Sequence, residues 1–375
     1  MIDTVIIILP QNRFIVQDYS RFGTTKSEFL AVKGFRKYFN NPTAEQKREG
    51  IYMPRLTLFK RGLTISLKIE FSIPKLLFGN NLDEVSDEHF YHIIKILHQK
   101  LTDMKVMTTE KFIKEAEVSA FHPSKNIVLT NGYTASFAIK ELAKINLNRK
   151  LDFSDTKFRN DGSALQYYSV SHSLVFYDKI MDLKQPKTRA IDKEQTLQQL
   201  SLFDEIKDFK KHIEILRIEV RLSKKRKMNS VLKTLGYSEN PTFETIFEKK
   251  MCQQIVQHYW QEMIAGKNIF IFDMLSNPLR ILQRAIKNDR KLKPKQAVYL
   301  TGLEILCKDR GVRELRQTIE IIATRNAWYN LSRDIARIND YKKDLEPHGF
   351  VKDIENAIEK FDAFRLSPYK LDTLQ

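Results

Sequence analysis

The stretch EILRIEVRLSKKRK, residues 214–227, carries the pattern on which the fold depends. From Leu216 to Leu222 apolar and charged residues alternate strictly, the mark of a strand with one face in a core. Leu216, Ile218, Val220 and Leu222 share that face, while Arg217, Glu219 and Arg221 share the other. A basic run, Lys224, Lys225, Arg226 and Lys227, follows at once. A strand fit for a core therefore holds a carboxylate between two guanidinium groups, which asks for a reason.

LQYYSVSHSLVFYDK (165–179) is a second β-rich run, ending at Tyr177. KFIKEAEVSAFH (111–122) alternates as well and is expected to set Glu115 and Glu117 on one strand face. RLTLFKRGLTISLKIEFSIP (55–74) reads as a hairpin turning at Lys60-Arg61-Gly62, with Pro74 stopping its second strand. SDEHFYHIIKILHQKLTDM (86–104) is a helix that Ser86 can cap, with Phe90, Ile94, Leu97 and Leu101 at helical spacing. MIDTVIIILP (1–10) reads as a first strand ended by Pro10, and QTLQQLSLFDEIKDFKKH (195–212) as a surface helix or ordered insertion.

Beyond about residue 240 the period becomes helical. Phe243, Phe247, Met251, Ile255 and Tyr259 form one stripe, and residues 293–311 form a helix ending at Gly311. Two further helices follow: 312–322, and 325–338 with Trp328, Leu331, Ile335 and Ile338 inward. The expected fold class is α+β: an antiparallel-sheet domain over residues 1–240, then a mostly helical domain over 241–375, joined near Ser238–Pro241. LKIEFSIPK (67–75) and LRIEVRLSK (216–224) match in register, which suggests a duplicated hairpin–strand–helix unit. Such a duplication would set the two acidic strands face to face.

The chain has 375 residues, more than one core usually organises, and a formal net charge of +17. Such an excess favours a polyanionic partner, nucleic acid before an anionic membrane surface, although a Lys-rich lineage gives basic enzymes too. Cys252 and Cys307 lie far apart in helical segments, which argues against a disulfide framework or a cysteine zinc site and fits a reducing cytoplasm. No apolar run reaches transmembrane length and no basic leader precedes the first strand, so an internal, membrane-free protein is expected. No Walker-type glycine loop occurs, which leaves out a built-in ATPase of that kind. No two histidines flank a single apolar residue, as a histidine-based nickase metal site needs. His122, His172 and His212 are isolated and read as structural or surface residues, His172 being notable for its closeness to Tyr177.

The charged face of 216–222 supports two readings. Glu219, brought together with Glu117, Glu115 and in one arrangement Glu70, would form a cluster whose repulsion a divalent cation relieves, Mg²⁺ or Mn²⁺ by preference. Arg217 and Arg221 could then grip a phosphate. The same spacing also fits a solvated face of ordinary salt bridges. Tyr177 is by default a half-buried strand residue. As a nucleophile it needs help, and Lys179, expected two residues on along the same strand face, could supply it. The helices 312–322 and 325–338 fit a helix-turn-helix presenting Arg325, Asn326 and Arg333, or equally two packed helices with solvated faces.

Four stretches, MIDTV at the start, SIPKLLFGNNLDE (72–84), LVFYDK (174–179) and LRIEVRL (216–222), resemble the replication initiators related to the gene II protein of filamentous phages. More distantly they are similar to plasmid rolling-circle initiators that lack the paired-histidine site. VRELRQTIEIIATRNAWYNLSRDI (312–335) resembles that family's C-terminal region. The resemblance implies a metal-dependent, site-specific DNA nickase and strand transferase. Tyr177 would form a 5′-phosphotyrosine link, Lys179 would follow it as in the family, and Glu219 would bind Mg²⁺ or Mn²⁺. Glu117 falls where the family has a second acid, and Glu115 where it has arginine. Tyr167 and Tyr168 are close enough to be alternative alignments of the nucleophile. The implied partners are origin duplex and single-stranded DNA, with a host helicase and polymerase, in a bacterial cytoplasm. The rival expectations are an origin-binding control protein without catalysis, and a nuclease without a covalent intermediate.

Overall fold

A computed structural model of the chain describes residues 1–146, 153, 155–159, 162–184, 213–264, 269–323, 325–340 and 345–366. The expected segment 195–212 lies outside the described residues. Eleven strands are present among them: β1 (Ile2–Pro10), β2 (Ile15–Val16), β3 (Phe35–Asn40), β4 (Arg55–Arg61), β5 (Thr64–Ser72), β6 (Val106–Met107), β7 (Glu117–Val128), β8 (Asp155–Arg159), β9 (Ala164–Tyr168), β10 (His172–Asp178) and β11 (Ile215–Leu222). Nine form one sheet in the order β3-β4-β5-β1-β7-β11-β10-β9-β8, every neighbouring pair antiparallel; β2 and β6 form a separate ribbon.

That order repeats itself about the β1–β7 pair. On one side β1 pairs with β5, which continues into β4 and β3; on the other β7 pairs with β11, which continues into β10, β9 and β8. The two matching stretches, 67–75 and 216–224, thus occupy equivalent places. They do not face each other: three strand spacings separate β5 from β11, roughly 14 Å. Glu70 pairs instead with Lys68 at 2.7 Å and Arg55 at 3.8 Å.

Local sequence explains the elements. Gly62 takes φ +60° in the two-residue turn between Arg61 and Thr64, a backbone conformation that glycine adopts without strain. Pro74 sits in the first turn of helix Ile73–Phe78, where its missing N–H costs nothing. Ser86 caps the turn leading into helix Phe90–Asp103, whose Phe90, Ile94, Leu97 and Leu101 are buried. KFIKEAEVSAFH is not one strand: residues Glu110–Lys114 form a short helix, Glu115 caps its C-terminus, and β7 begins at Glu117.

One sheet face, with Val5, Ile7, Leu67, Ile69, Leu216, Ile218 and Val220, forms the main core against helices. That core also takes in Phe243, Met251, Cys252, Ile255 and Tyr259, and Phe350, Val351 and Ile354 from helix Gly349–Lys360. The expected boundary at 240 therefore cuts through a core. Pro241 O accepts from Val118 N at 3.0 Å and Phe243 N donates to Ala116 O at 2.9 Å, so the chain there is stitched to β7. A second core lies between Phe270 and Ile338, with Leu300, Leu303, Cys307, Trp328 and Ile335. Helix Pro294–Ile322 is broken at Gly311, where the sequence predicts a helix end, and helix Arg325–Asp340 buries Trp328, Ile335 and Ile338 as expected. No described helix is long and apolar enough to cross a membrane.

Candidate functional site

The β10–β11 register sets Tyr177 opposite Arg217, Val175 opposite Glu219 and Ser173 opposite Arg221. Paired residues of an antiparallel sheet share a face, so Tyr177, Arg217, Glu219 and Arg221 stand together on the side opposite the main core. On β7, Ser124 pairs with Glu219, which brings His122 to the same side. A register shift between Ile2 and Val5 in the β1–β7 pairing turns Asp3 toward the group; re-aiming a side chain in this way is a known use of a bulge.

The centre is Glu219, 2% exposed. Its Oε2 accepts from the Tyr177 hydroxyl at 3.0 Å and from Arg221 Nη2 at 3.3 Å. Its Oε1 accepts from Arg221 Nε at 2.8 Å and lies 3.4 Å from His122 Nδ1. Burial works to raise the carboxyl, but the forked Arg221 guanidinium and His122 outweigh it and hold Glu219 well below the usual carboxylate range. Tyr177 is shifted the other way: burial pushes its phenol well above the ordinary value, and Arg217 offsets only part of that. At rest the pair is a neutral phenol donating to a firmly ionised acid.

Arg217 is 1% exposed and holds the floor. Nη1 donates to Asn81 O at 2.9 Å; Nη2 donates to Ser124 Oγ at 2.9 Å and Asp3 Oδ1 at 3.2 Å. Burial opposes its charge, but Tyr177, Asp3 and Glu219 together raise its pKa. The loop from Asn80 to Glu84, within the stretch PKLLFGNNLDE, is the bracket for this floor. Glu84 accepts from Lys125 Nζ at 2.7 Å, Asn126 N at 2.6 Å and Phe364 N at 2.9 Å. Burial alone would raise Glu84, but Lys125 and these hydrogen bonds bring it down to about 2. Arg221 differs from Arg217: its side chain is 35% exposed, so it is the guanidinium of the two that an incoming anion can reach.

Of the other expected site residues, Lys179 is the first residue of helix Lys179–Lys184 rather than a strand residue. Its fully buried ammonium lies 5.4 Å from the centre of the Tyr177 ring and 3.9 Å from Asp182. Glu117 lies on β7 seven positions from Ser124, roughly 20 Å along the strand, and is ion-paired to Lys225. Glu115 faces Arg13 at 3.5 Å and Lys111 at 3.9 Å. Neither acid joins Glu219, and neither does Glu70. Tyr167 points to the opposite face and donates to Leu142 O at 2.7 Å, and Tyr168 donates to Asp155 at 2.9 Å, so Tyr177 alone of the three meets Glu219. His172, on the core side, stacks on Phe153. Asp3 and His122 are the members that sequence reasoning does not select.

Among the described residues no three His, Cys, Asp or Glu side chains are arranged to hold a metal ion. The donor chemistry agrees. A carboxylate offers about four lone-pair directions, and those of Glu219 face Tyr177, Arg221 twice and His122. Asp3 is likewise engaged by Arg217 and by the Thr4 hydroxyl at 3.0 Å. As placed, this set does not fit a divalent cation. Lys225 and Arg226 line a groove on helix Lys225–Thr234 with Asn229, Ser230, Lys233, Thr234 and Glu239. Asn326 and Arg333 are exposed on helix Arg325–Asp340.

Comparison with protein-family models, with curated proteins and with solved structures gives no match to this chain.

Proposed function

We propose that the protein is a replication initiator that cleaves and rejoins one DNA strand at an origin, with Tyr177 as the nucleophile. The observation that carries this reading is the 3.0 Å hydrogen bond from the Tyr177 hydroxyl to Glu219, beside a guanidinium that an anion can reach. A phosphodiester competes with Glu219 for Arg221. As Arg221 turns to the phosphate, Glu219 loses the partner that keeps it acidic and becomes able to take the phenolic proton. The phenol oxygen then bonds to phosphorus, and the P–O3′ bond breaks. The leaving 3′ oxygen takes a proton from solvent, to which Glu219 gives up the phenol's, leaving a 5′-phosphotyrosine and a free 3′-hydroxyl that primes rolling-circle synthesis. Arg217 and Lys179, both buried, act as fixed positive charge beneath the reacting phosphate. The covalent link conserves the phosphodiester's energy, so the reverse transfer reseals the strand.

Lys224, Lys225, Arg226 and Lys227 guide the backbone without reading sequence. In this proposal the helices flanking residue 324 act as a helix-turn-helix on the origin duplex, with Arg325, Asn326 and Arg333 on the second helix. A host helicase and polymerase complete the reaction in the cytoplasm. In this proposal Tyr177, Glu219, Arg217 and Arg221 carry the chemistry, and adduct formation compared with and without Mn²⁺ tests the cation that the resemblance implies.

A second reading has its own observation. Tyr177, Glu219 and Arg217 are 8%, 2% and 1% exposed, the burial of a structural lock, as in an origin-binding protein without catalysis. Labelled single-stranded and supercoiled DNA, incubated with and without Mn²⁺, separates the two. A denaturation-resistant adduct lost in Tyr177→Phe supports the nickase; intact DNA throughout supports the binding protein. Cleavage that survives Tyr177→Phe contradicts both and points to a nuclease without a covalent intermediate.

A further inference from the structure

The far end of the sheet carries a feature that cleavage does not use. β3 places Phe35, Lys37 and Phe39 on one face, and β4 sets Arg61, Phe59 and Thr57 directly opposite them. Phe35 and Phe39 are 57% and 56% exposed. The Phe35 ring stacks on that of Phe59, with centroids 6.1 Å apart and planes 21° apart. The Lys37 ammonium lies 5.3 Å from the centre of one ring and 5.6 Å from the other. The next rows add Arg55 and Lys68, and the carboxylate among them, Glu70, is paired to both. On the opposite face Leu56, Leu58 and Tyr38 pack inward, so the exposed aromatics are surplus to the core.

We propose that this surface binds single-stranded nucleic acid without sequence preference, by stacking bases on Phe35 and Phe39 while Lys37, Arg61 and Arg55 hold the phosphates. The proposal rests on the DNA reading above for the identity of the strand, but not on any cleavage by Tyr177. Every base has a π face, so aromatic rings set among cations suit any unpaired sequence. A duplex, its bases already stacked, offers the rings nothing. Three considerations favour this occupant over a protein. The net charge of +17 selects a polyanion. The Lys37 ammonium, which lies over the Phe35 and Phe59 rings, would be desolvated without a counter-charge under an apolar protein surface. Arg36 and Lys37 on an edge strand discourage the addition of another strand. The patch also lies on the same face as Tyr177, because the pairings Phe39–Thr57, Thr57–Lys68 and Lys68–Ile8 carry that face to the centre of the sheet. Six strand spacings, roughly 29 Å, separate β3 from β10, a distance that a strand released at the reacting centre can span.

The test uses the full chain carrying Tyr177→Phe, so that no adduct forms, and fluorescence anisotropy with a labelled oligothymidylate, an abasic strand of equal length and a duplex. Adding Phe35→Ala and Phe39→Ala together is expected to weaken oligothymidylate binding by roughly tenfold or more. Binding of the abasic strand and the duplex should stay within about twofold, because they are held through their phosphates. Phe35→Tyr with Phe39→Tyr should restore binding, which separates stacking from misfolding. Unchanged oligothymidylate binding in the alanine variant would overturn the proposal. So would an equal loss on the abasic strand, or a dimer of the parent chain that the alanine variant dissociates. Stacking found while the chain that retains Tyr177 yields no adduct would sink the cleavage reading and leave this one standing.

Discussion

At the scale of single residues, the chemistry is a contest for one carboxylate. Glu219 is hydrogen-bonded by Tyr177 and Arg221 at once, and the proposed reaction begins when a phosphate takes one of these partners away. Arg221→Lys keeps a charge but loses the fork that grips two oxygens, so adduct formation is expected to fall by about 10²-fold or more in single-turnover assays, with the fold intact. Glu84 gives a prediction about stability. Its folded-state pKa of about 2 lies below its ordinary value of 4.5, so its contribution is fully present above about pH 4.5 and is lost as pH falls toward 2. The difference corresponds to about 3 kcal/mol at neutral pH. Glu84→Gln, which strands buried Lys125, should cost about 3–5 kcal/mol in urea unfolding at pH 7 and much less near pH 3. Equal losses at both values would show that the pair is not the source. Residues such as Tyr177, Arg217, Glu219 and Arg221 are legible in the sequence because alternation fixes which side chains share a strand face. Asp3 and His122 are not, because their place depends on which strands become neighbours and on a bulge, and neither leaves a local mark.

At the scale of elements, the misplacement of Glu115 and Glu117 has the same origin. Their spacing fits a strand, yet Thr109 caps a short helix by accepting from Phe112 N, and β7 starts only at Glu117. Ser124, the β7 residue paired with Glu219, lies seven positions beyond Glu117. The hairpin at Gly62, the proline at 74 and the Ser86 cap are readable because turn and cap chemistry is local. Gly311 reads as a helix end, and the structure adds what it meets. With φ +86°, a side chain there would be strained, and its Cβ would fall 2.6 Å from Lys144 Cα, at the end of helix Ala135–Leu142. Arg313 ties the same two segments together by donating to Ala143 O at 3.2 Å. Gly311→Ala is therefore expected to destabilise the protein by about 2–4 kcal/mol, combining backbone strain with overpacking. Thermal unfolding checks this, and an unchanged midpoint would mean that the two helical segments do not meet the sheet unit there.

At the scale of the whole molecule, the sheet and the flanking helices make one core, with a smaller one beside it. A fragment of residues 1–240 would lack Tyr259, Met251 and Phe350 from that core, so it should fail to unfold cooperatively or be insoluble. The period change near 240 is a true signal of helices; it does not say that these helices return to cover the sheet. Net charge acts at this scale too. Replacing Lys224, Lys225, Arg226 and Lys227 by alanine should reduce the salt slope of DNA binding by roughly 0.9 for each duplex phosphate that is no longer neutralised. An unchanged slope would mean that other side chains neutralise the phosphates. The most direct measurement of the central claim is mass spectrometry of the proteolysed adduct formed with single-stranded DNA. A nucleotide attached through a 5′-phosphate to Tyr177 is expected, and none in Tyr177→Phe. A nucleotide on any other side chain, or DNA cut with no attachment at all, would contradict it.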